Sequence, residues 1–133
     1  MSRFHWTQAI IFRDHIQHHR EWTYLFGDNS LRKGMGGMAR ECRGEPNAVG
    51  IPTKWTPNMN DAAFFSDDES DIARGIPQDL IEAAVVDAES RGLPIIVPYG
   101  LGRGFAQMPQ RCPKLYEWMC RRLEKPQKQP KET

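Results

Sequence analysis

The sequence has few cysteines and almost no net charge. Its 133 residues include three cysteines, Cys42, Cys112 and Cys120, and this odd, widely spaced set argues against a disulfide framework or a paired-cysteine zinc site. The formal net charge is +1, whereas a dedicated nucleic-acid-binding domain usually carries a clear basic excess. We therefore expect reduced thiols and no dedicated nucleic-acid binding, while a local basic patch is compatible with this balance.

Long hydrophobic runs are also missing. No apolar segment approaches the ~20 residues that a membrane span needs, and the first residues, MSRFHWTQAIIF, lack the apolar core and cleavage site of a signal peptide. We expect a cytoplasmic protein without membrane association. Two of the histidines His15, His18 and His19 could share a helical face, but no nearby cysteine completes a metal site. We expect no metal and no cofactor.

Short apolar runs alternate with helical patterns along the chain, which is typical of an α/β domain. We predict strands near residues 8–12, over 22–27, over 47–52 ending at Pro52, and over 93–98, with a loop or single helical turn over 13–21. We predict helices starting near Gly37, from Pro77 to residue 91, and over 112–124. The fold class is a single α/β domain, residues 1–124, with a mixed or mainly parallel sheet flanked by helices. Residues 125–133, KPQKQPKET, are expected to be a disordered tail.

The segment over 52–66 has no regular pattern and is long for a connection in a small domain, so it is a candidate functional loop. Its aromatic residues Trp55, Phe64 and Phe65 fit three roles: core packing, a lid that stacks on a base, or a surface for a partner. The acidic run over 67–71 is expected to complement the start of a helix.

Two glycine-rich segments follow predicted strands. RKGMGGMA contains Gly34, Gly36 and Gly37, and GLGRGF contains Gly100, Gly102 and Gly104. Glycine lets the backbone approach an anion closely and turn its amides toward it, and ligands of α/β sheets bind beyond the carboxyl ends of the strands.

A single such loop is equally well explained as a tight turn, and neither segment matches a Walker A motif or a complete dinucleotide fingerprint. Two loops at the same edge of one sheet favour a shared phosphate-bearing ligand.

Charged and polar residues accompany the loops. Asp28 could act as a base and Asn29 could hold a hydroxyl, or both could form a turn that caps the strand.

Lys54 and Arg103 are candidate phosphate contacts. Arg103 would also form a basic rim around the two loops with Arg32 and Lys33. Each of these four residues could equally be an ordinary exposed surface charge.

The order FGDN, GMGGMA, NAVGIPTK and IIVPYGLGRGFA, which spans residues 22–120, resembles small bacterial and phage proteins with a macro-domain-like fold. Macro domains bind ADP-ribose and related nucleotides between two glycine loops, and some hydrolyse ADP-ribose linkages. The resemblance implies that Asn29 contacts the ligand and that Phe105 packs on its ribose side. It also implies that both glycine segments clasp the ligand.

We therefore expect the protein to bind a nucleotide such as ADP-ribose or an NAD-derived molecule, with the ligand-binding set Gly34, Gly36, Gly37, Lys54, Gly100, Gly102, Arg103, Gly104 and Phe105. Sequestration of the ligand is the first hypothesis. Hydrolysis, with Asp28 and Asn29 as catalytic residues, is the alternative. A protein-interaction module without a ligand is the second alternative, and the oligomeric state is left open.

Overall fold

Residues 3–68 and 76–127 are described by a computed structural model. Within these ranges the strands are β1 (Phe4–Thr7), β2 (Thr23–Asn29), β3 (Ala48–Lys54) and β4 (Ile95–Pro98). The helices there are α1 (Arg13–His18), α2 (Ala39–Cys42), α3 (Pro77–Ser90), α4 (Met108–Arg111) and α5 (Pro113–Arg122), with a 3-10 turn at Asp61–Ala63. All strand pairs are parallel and their order is β1-β4-β2-β3. The prediction of a single α/β domain is confirmed.

The sheet lies between two layers of helices. Successive side chains of a strand point to opposite faces, and β2 shows this alternation. Leu25 belongs to a large core with Ile81 and Val85 of α3 and Met119 of α5. Its neighbours in β2 pack on the other face against Ile16 of α1 and against α2. Both faces of the sheet are therefore covered, as a parallel sheet requires.

The central pair of strands sets the position of the site. β2 and β4 are neighbours, but the chain leaves β2 toward α2 on one face and leaves β4 toward α4 and α5 on the other. Adjacent strands whose connections diverge in this way open a crevice at their carboxyl ends. The two glycine segments follow these two strands.

The predicted first strand at residues 8–12 was wrong. The strand is β1, whose alternating residues place Phe4 in the core and half-bury Trp6 against it. The more apolar segment that follows is not a strand, and its Ile10 is 74% exposed. Hydrophobicity alone therefore misplaced the strand, whereas the aromatic alternation FHWT carried the signal.

Pro52 does not end the third strand, as the sequence had suggested. It lies inside β3 opposite Asp28, and the strand continues to Lys54. β3 is at the edge of the sheet, where a proline costs no ladder hydrogen bond if its nitrogen faces outward.

The other predicted strands and helices appear close to their expected places. Pro77 is at the first turn of α3, as the geometry of proline favours. Lys125, expected in the tail, instead donates a hydrogen bond from Nζ to the Tyr116 hydroxyl at 3.0 Å and lies over the Trp6 ring. The rest of that tail, from residue 128, lies outside the described residues.

The aromatic residues of the irregular segment belong to the core. Trp55, Phe64 and Phe65 are each at most 4% exposed, and Trp55 meets Phe65 edge to face with ring centroids 4.8 Å apart. The hypotheses of a base-stacking lid and of a partner surface built from these three residues are therefore wrong. Their burial also anchors residues 55–65 to the domain.

The acidic run contributes to a helix start through its first residue. Asp67 accepts hydrogen bonds from the amides of Lys114 and Leu115 at 3.0 Å each, in the first turn of α5. The later members, at positions 69 and 71, lie outside the described residues. None of the helices over 3–68 and 76–127 has the length and apolar character that crossing a membrane requires.

Candidate functional site

A cleft of about 670 Å³ opens at the carboxyl ends of β2 and β4, and both glycine segments line it. We name residues 30–38 the first loop and residues 99–107 the second loop. Every residue predicted for the site lines this cleft: Asp28, Asn29, Gly34, Gly36, Gly37, Lys54, Gly100, Gly102, Arg103, Gly104 and Phe105. The two segments therefore converge as the order of strands and glycines had predicted.

The Asn29 side chain shapes the first loop. Its Oδ1 accepts a hydrogen bond from the amide of Leu31 at 3.1 Å, and its Nδ2 donates to the carbonyl oxygen of Lys33 at 2.7 Å. This is the turn that the sequence offered as an alternative to a ligand contact. Both ends of the Asn29 amide are engaged within the protein, at the edge of the cleft.

Asp28 is held in ion pairs. Its carboxylate is 2% exposed and lies 2.6 Å from Nη2 of Arg43 and 3.3 Å from Nη1 of Arg32. It also accepts a hydrogen bond from the amide of Asn29 at 2.8 Å. Both carboxylate oxygens of Asp28 therefore already have partners within the protein.

Arg43 connects this carboxylate to the first loop. Its Nε donates to the carbonyl oxygen of Gly34 at 2.8 Å while its terminal nitrogens bind Asp28. One guanidinium thus joins the end of β2, the residue after α2 and the glycine-rich turn. Arg32, by contrast, donates to the carbonyl oxygen of Gly50 on β3, and it is not among the residues that line the cleft.

The second loop is built from tight turns and apolar packing. The amide of Leu101 donates to the carbonyl oxygen of Pro98 at 3.0 Å, and that of Arg103 donates to Gly100 at 2.9 Å. Gly102 has φ of 82°, and a Cβ there would lie 2.8 Å from Sδ of Met108. Glycine at 102 is therefore required by the fold itself.

At three other positions in the two loops, the fold does not require glycine in this way. Gly36, Gly100 and Gly104 do not have positive φ. A Cβ at Gly100 or Gly104 would meet nothing within 4 Å, and one at Gly36 would only touch the Phe105 ring at 4.0 Å. Folding would tolerate larger residues at these positions, whereas a ligand against the backbone would not.

Several backbone amides on each loop have no acceptor in the described part of the protein. Over residues 3–68 and 76–127, no carbonyl or side chain accepts a hydrogen bond from the N–H groups of Gly36, Gly37, Gly104 or Phe105. The same holds for the amides of Gly34, Met35, Gly100 and Gly102. Clustered amides of this kind form sites for anions.

The side chains around the cleft add positive charge. Four cationic residues line it, namely Lys33, Arg43, Lys54 and Arg103, against the single carboxylate of Asp28. A chain with a formal net charge of only +1 therefore concentrates a basic excess at this edge. A cleft lined by charge of one sign attracts ligands of the opposite sign.

An apolar rim accompanies this charge. The side chains of Phe105 and Met35 are 65% and 52% exposed and lie at the cleft. An exposed aromatic ring offers a flat surface for another ring. The cleft therefore presents both donors for an anion and a surface for an aromatic or sugar group.

Lys54 lies at the end of β3, beside Asn29 of β2. It is 6% exposed, and its Nζ donates to the carbonyl oxygen of Asn58. Burial, with a smaller contribution from nearby Arg111, lowers the pKa of Lys54 below its ordinary value of 10.5.

Cys42 and Cys112 are not suited to nucleophilic catalysis. Burial raises the pKa of both Cys42 and Cys112 to about 12, and the thiolate is the reactive form. Among the residues that the structure describes, no group of three or more histidine, cysteine or acidic side chains is placed to hold a metal ion.

Arg43 is the main site residue that the sequence did not suggest. It follows a four-residue helix and precedes Gly44, where a solvent-exposed arginine is the ordinary expectation. Its role depends on Asp28, 15 positions earlier, and no local pattern reports that pairing. Lys33, considered only as part of a basic rim, also lines the cleft.

The sheet and the cleft together define an all-parallel α/β domain with a basic, glycine-lined crevice at its carboxyl edge. The chain belongs to DUF7831, a family of unknown function that matches residues 6–122. No curated protein and no solved structure gives a significant match.

Proposed function

We propose that the protein binds a phosphate-bearing nucleotide, such as ADP-ribose or an NAD-derived molecule, in the cleft between the two loops. The observation that carries the proposal is that residues with unengaged backbone amides, from both loops, line one basic cleft. Phosphate oxygens accept hydrogen bonds from such amides, and their charge complements the cationic lining.

The nucleotide part of the proposal has two supports. The exposed Phe105 ring and the Met35 side chain lie beside the amides, where they would contact a sugar or base. The resemblance of the glycine segments to macro domains makes ADP-ribose the first ligand to test.

Sequestration is favoured over hydrolysis because the two proposed catalytic residues are already engaged. Asp28 is ion-paired with Arg43 and Arg32, and both ends of the Asn29 amide serve its own turn. Hydrolysis remains the alternative, with Asp28 and Asn29 as its predicted catalytic residues.

A thermal-shift titration tests the proposal. ADP-ribose, NAD, AMP and cyclic ADP-ribose isomers are added to the purified protein, with adenosine as a phosphate-free control. We expect at least one phosphate-bearing ligand to raise the unfolding midpoint with increasing concentration, while adenosine does not. No rise with any of them would contradict the proposal.

Mass analysis of the recovered ligand distinguishes the two modes of action. Ligand that is recovered unchanged supports sequestration. Conversion of excess ligand to a cleaved product supports hydrolysis. The same incubation with Asp28→Asn then tests the catalytic assignment, because a base is lost in that variant while the shape of the side chain is kept.

A further inference from the structure

Lys54 is a buried cation whose charge is not neutralised by the described protein. Its ammonium has three N–H donors, and the acceptors recorded for them are the Asn58 carbonyl oxygen and the Sδ of Met59. A thioether is a weak acceptor. No carboxylate of residues 3–68 or 76–127 pairs with it.

Two partly buried arginines of the domain do have carboxylate partners. Arg43 pairs with Asp28 at 2.6 Å, and Arg122 pairs with Glu82 and Glu89 at 2.7 and 2.6 Å. Lys54 departs from this arrangement although it is more deeply buried than they are.

A second cation lies close to Lys54. The Lys54 ammonium is 4.6 Å from the centre of the Phe64 ring, and the Arg111 guanidinium is 3.6 Å from the same centre. Arg111 itself pairs with Asp61, at 3.0 Å. A buried charge without a counter-charge is costly, and the like charge of Arg111 adds to that cost.

We propose that Lys54 is the residue that selects a phosphate group in the cleft, and that its uncompensated charge lowers the stability of the ligand-free protein. The inference rests on the proposed function, since it assigns the counter-charge to the phosphate of the bound nucleotide. Lys54 lines the cleft at the end of β3, beside Asn29, the residue that precedes the first loop. A phosphate bound there supplies the acceptor and the negative charge that the protein lacks.

The experiment replaces the charge by an apolar chain of similar length. Lys54→Met places a thioether beside Met59 and the Phe64 ring, which are compatible neighbours. Lys114→Met is the matched control, because Lys114 is exposed on α5 and does not line the cleft. Each variant is assayed for its unfolding midpoint without ligand and for binding of ADP-ribose and inorganic pyrophosphate.

We expect Lys54→Met to raise the ligand-free midpoint by about 3 °C and to weaken ADP-ribose binding by about 10- to 100-fold, the effect of losing a charged hydrogen bond. Lys114→Met should change neither. A ligand-free midpoint for Lys54→Met at or below that of the wild type would overturn the claim of a destabilising charge.

Two outcomes separate this inference from the proposed function. If the wild type and Lys54→Met bind ADP-ribose equally well, the nucleotide proposal stands and selection by Lys54 is wrong. If pyrophosphate stabilises the wild type but not Lys54→Met, and no nucleotide does, selection by Lys54 stands and the nucleotide proposal is wrong. Absence of any shift in the wild type would contradict both.

Discussion

The two glycine loops line one cleft, but different interactions hold them in place. The first loop is fixed by polar side chains that reach it from elsewhere, namely Asn29 from β2 and Arg43 from the end of α2. The second loop is fixed by its own turns and by packing of Gly102 against Met108 and Met119. We therefore expect the two loops to tolerate different substitutions, although their glycine patterns are similar.

The largest expected effect belongs to the packing of the second loop. Gly102→Ala combines a left-handed backbone with a Cβ within 3.0 Å of the buried Met108 and Met119 side chains. We expect a loss of about 2–4 kcal/mol of unfolding free energy in denaturant titrations. Gly100→Ala is the matched control, because a Cβ there meets nothing within 4 Å. Equal unfolding free energies for Gly102→Ala and Gly100→Ala would contradict the claim that packing at Gly102 holds the second loop in place.

Next in size is the polar support of the first loop. Arg43→Gln removes the closest cation from the buried Asp28 carboxylate and the hydrogen bond to Gly34. We expect a loss of about 2 kcal/mol, together with faster hydrogen exchange over residues 30–43 and unchanged exchange over 99–107.

Arg32→Gln is the control for that variant. Arg32 lies farther from Asp28, at 3.3 Å, and its side chain is 48% exposed, so its loss should cost about 0.5–1 kcal/mol at most. If Arg43→Gln loosened both loops equally, the first loop would not depend on this arginine in the way that we describe.

A smaller change in stability, with a clear change in binding, is expected at Gly104. Gly104→Ala meets no neighbouring atom and does not need a left-handed backbone, so its unfolding free energy should stay within about 0.5 kcal/mol of the wild type. Its methyl group would occupy the space beside the ligand and weaken ADP-ribose binding by about tenfold or more. Unchanged binding in calorimetric titrations would place the ligand away from the second loop.

The smallest expected effect is a pH dependence of the difference in unfolding free energy between Lys54→Met and the wild type. Lys54 has a lower pKa in the folded protein than its ordinary 10.5, so the unfolded chain binds more protons between the two values and folding gains stability as pH rises. The stability advantage of Lys54→Met over the wild type should therefore narrow as the pH is raised from neutral toward 10.5. A difference that stays constant in denaturant titrations over this range would contradict the burial of a charged ammonium.

The sequence predicted the parts of the fold that local patterns encode. The buried runs of β2 and β4 were recognised, and the parallel arrangement implied that the glycine segments after them share an edge. The edge strands were harder, because β1 has only one neighbouring strand and β3 accommodates Pro52 within it. The order of the strands, which makes β2 and β4 neighbours, has no local signature.

The sequence identified the glycine-rich backbone segments of the candidate site but not the tertiary contacts around them. Glycine clusters are visible in a sequence, so both loops were identified. The pairing of Arg43 with Asp28 and the cap that Asp67 places on α5 join distant parts of the chain. Burial of Trp55, Phe64 and Phe65 was one of three readings that aromatic residues in an irregular segment allow.

The central claim is that amides of both loops bind the same anionic ligand, and an NMR titration of the ¹⁵N-labelled protein with ADP-ribose tests it most directly. The account predicts that the amide resonances of Gly36, Gly37, Gly104 and Phe105 shift together with one dissociation constant. Resonances that stay unchanged, or that shift in one loop alone, would contradict it.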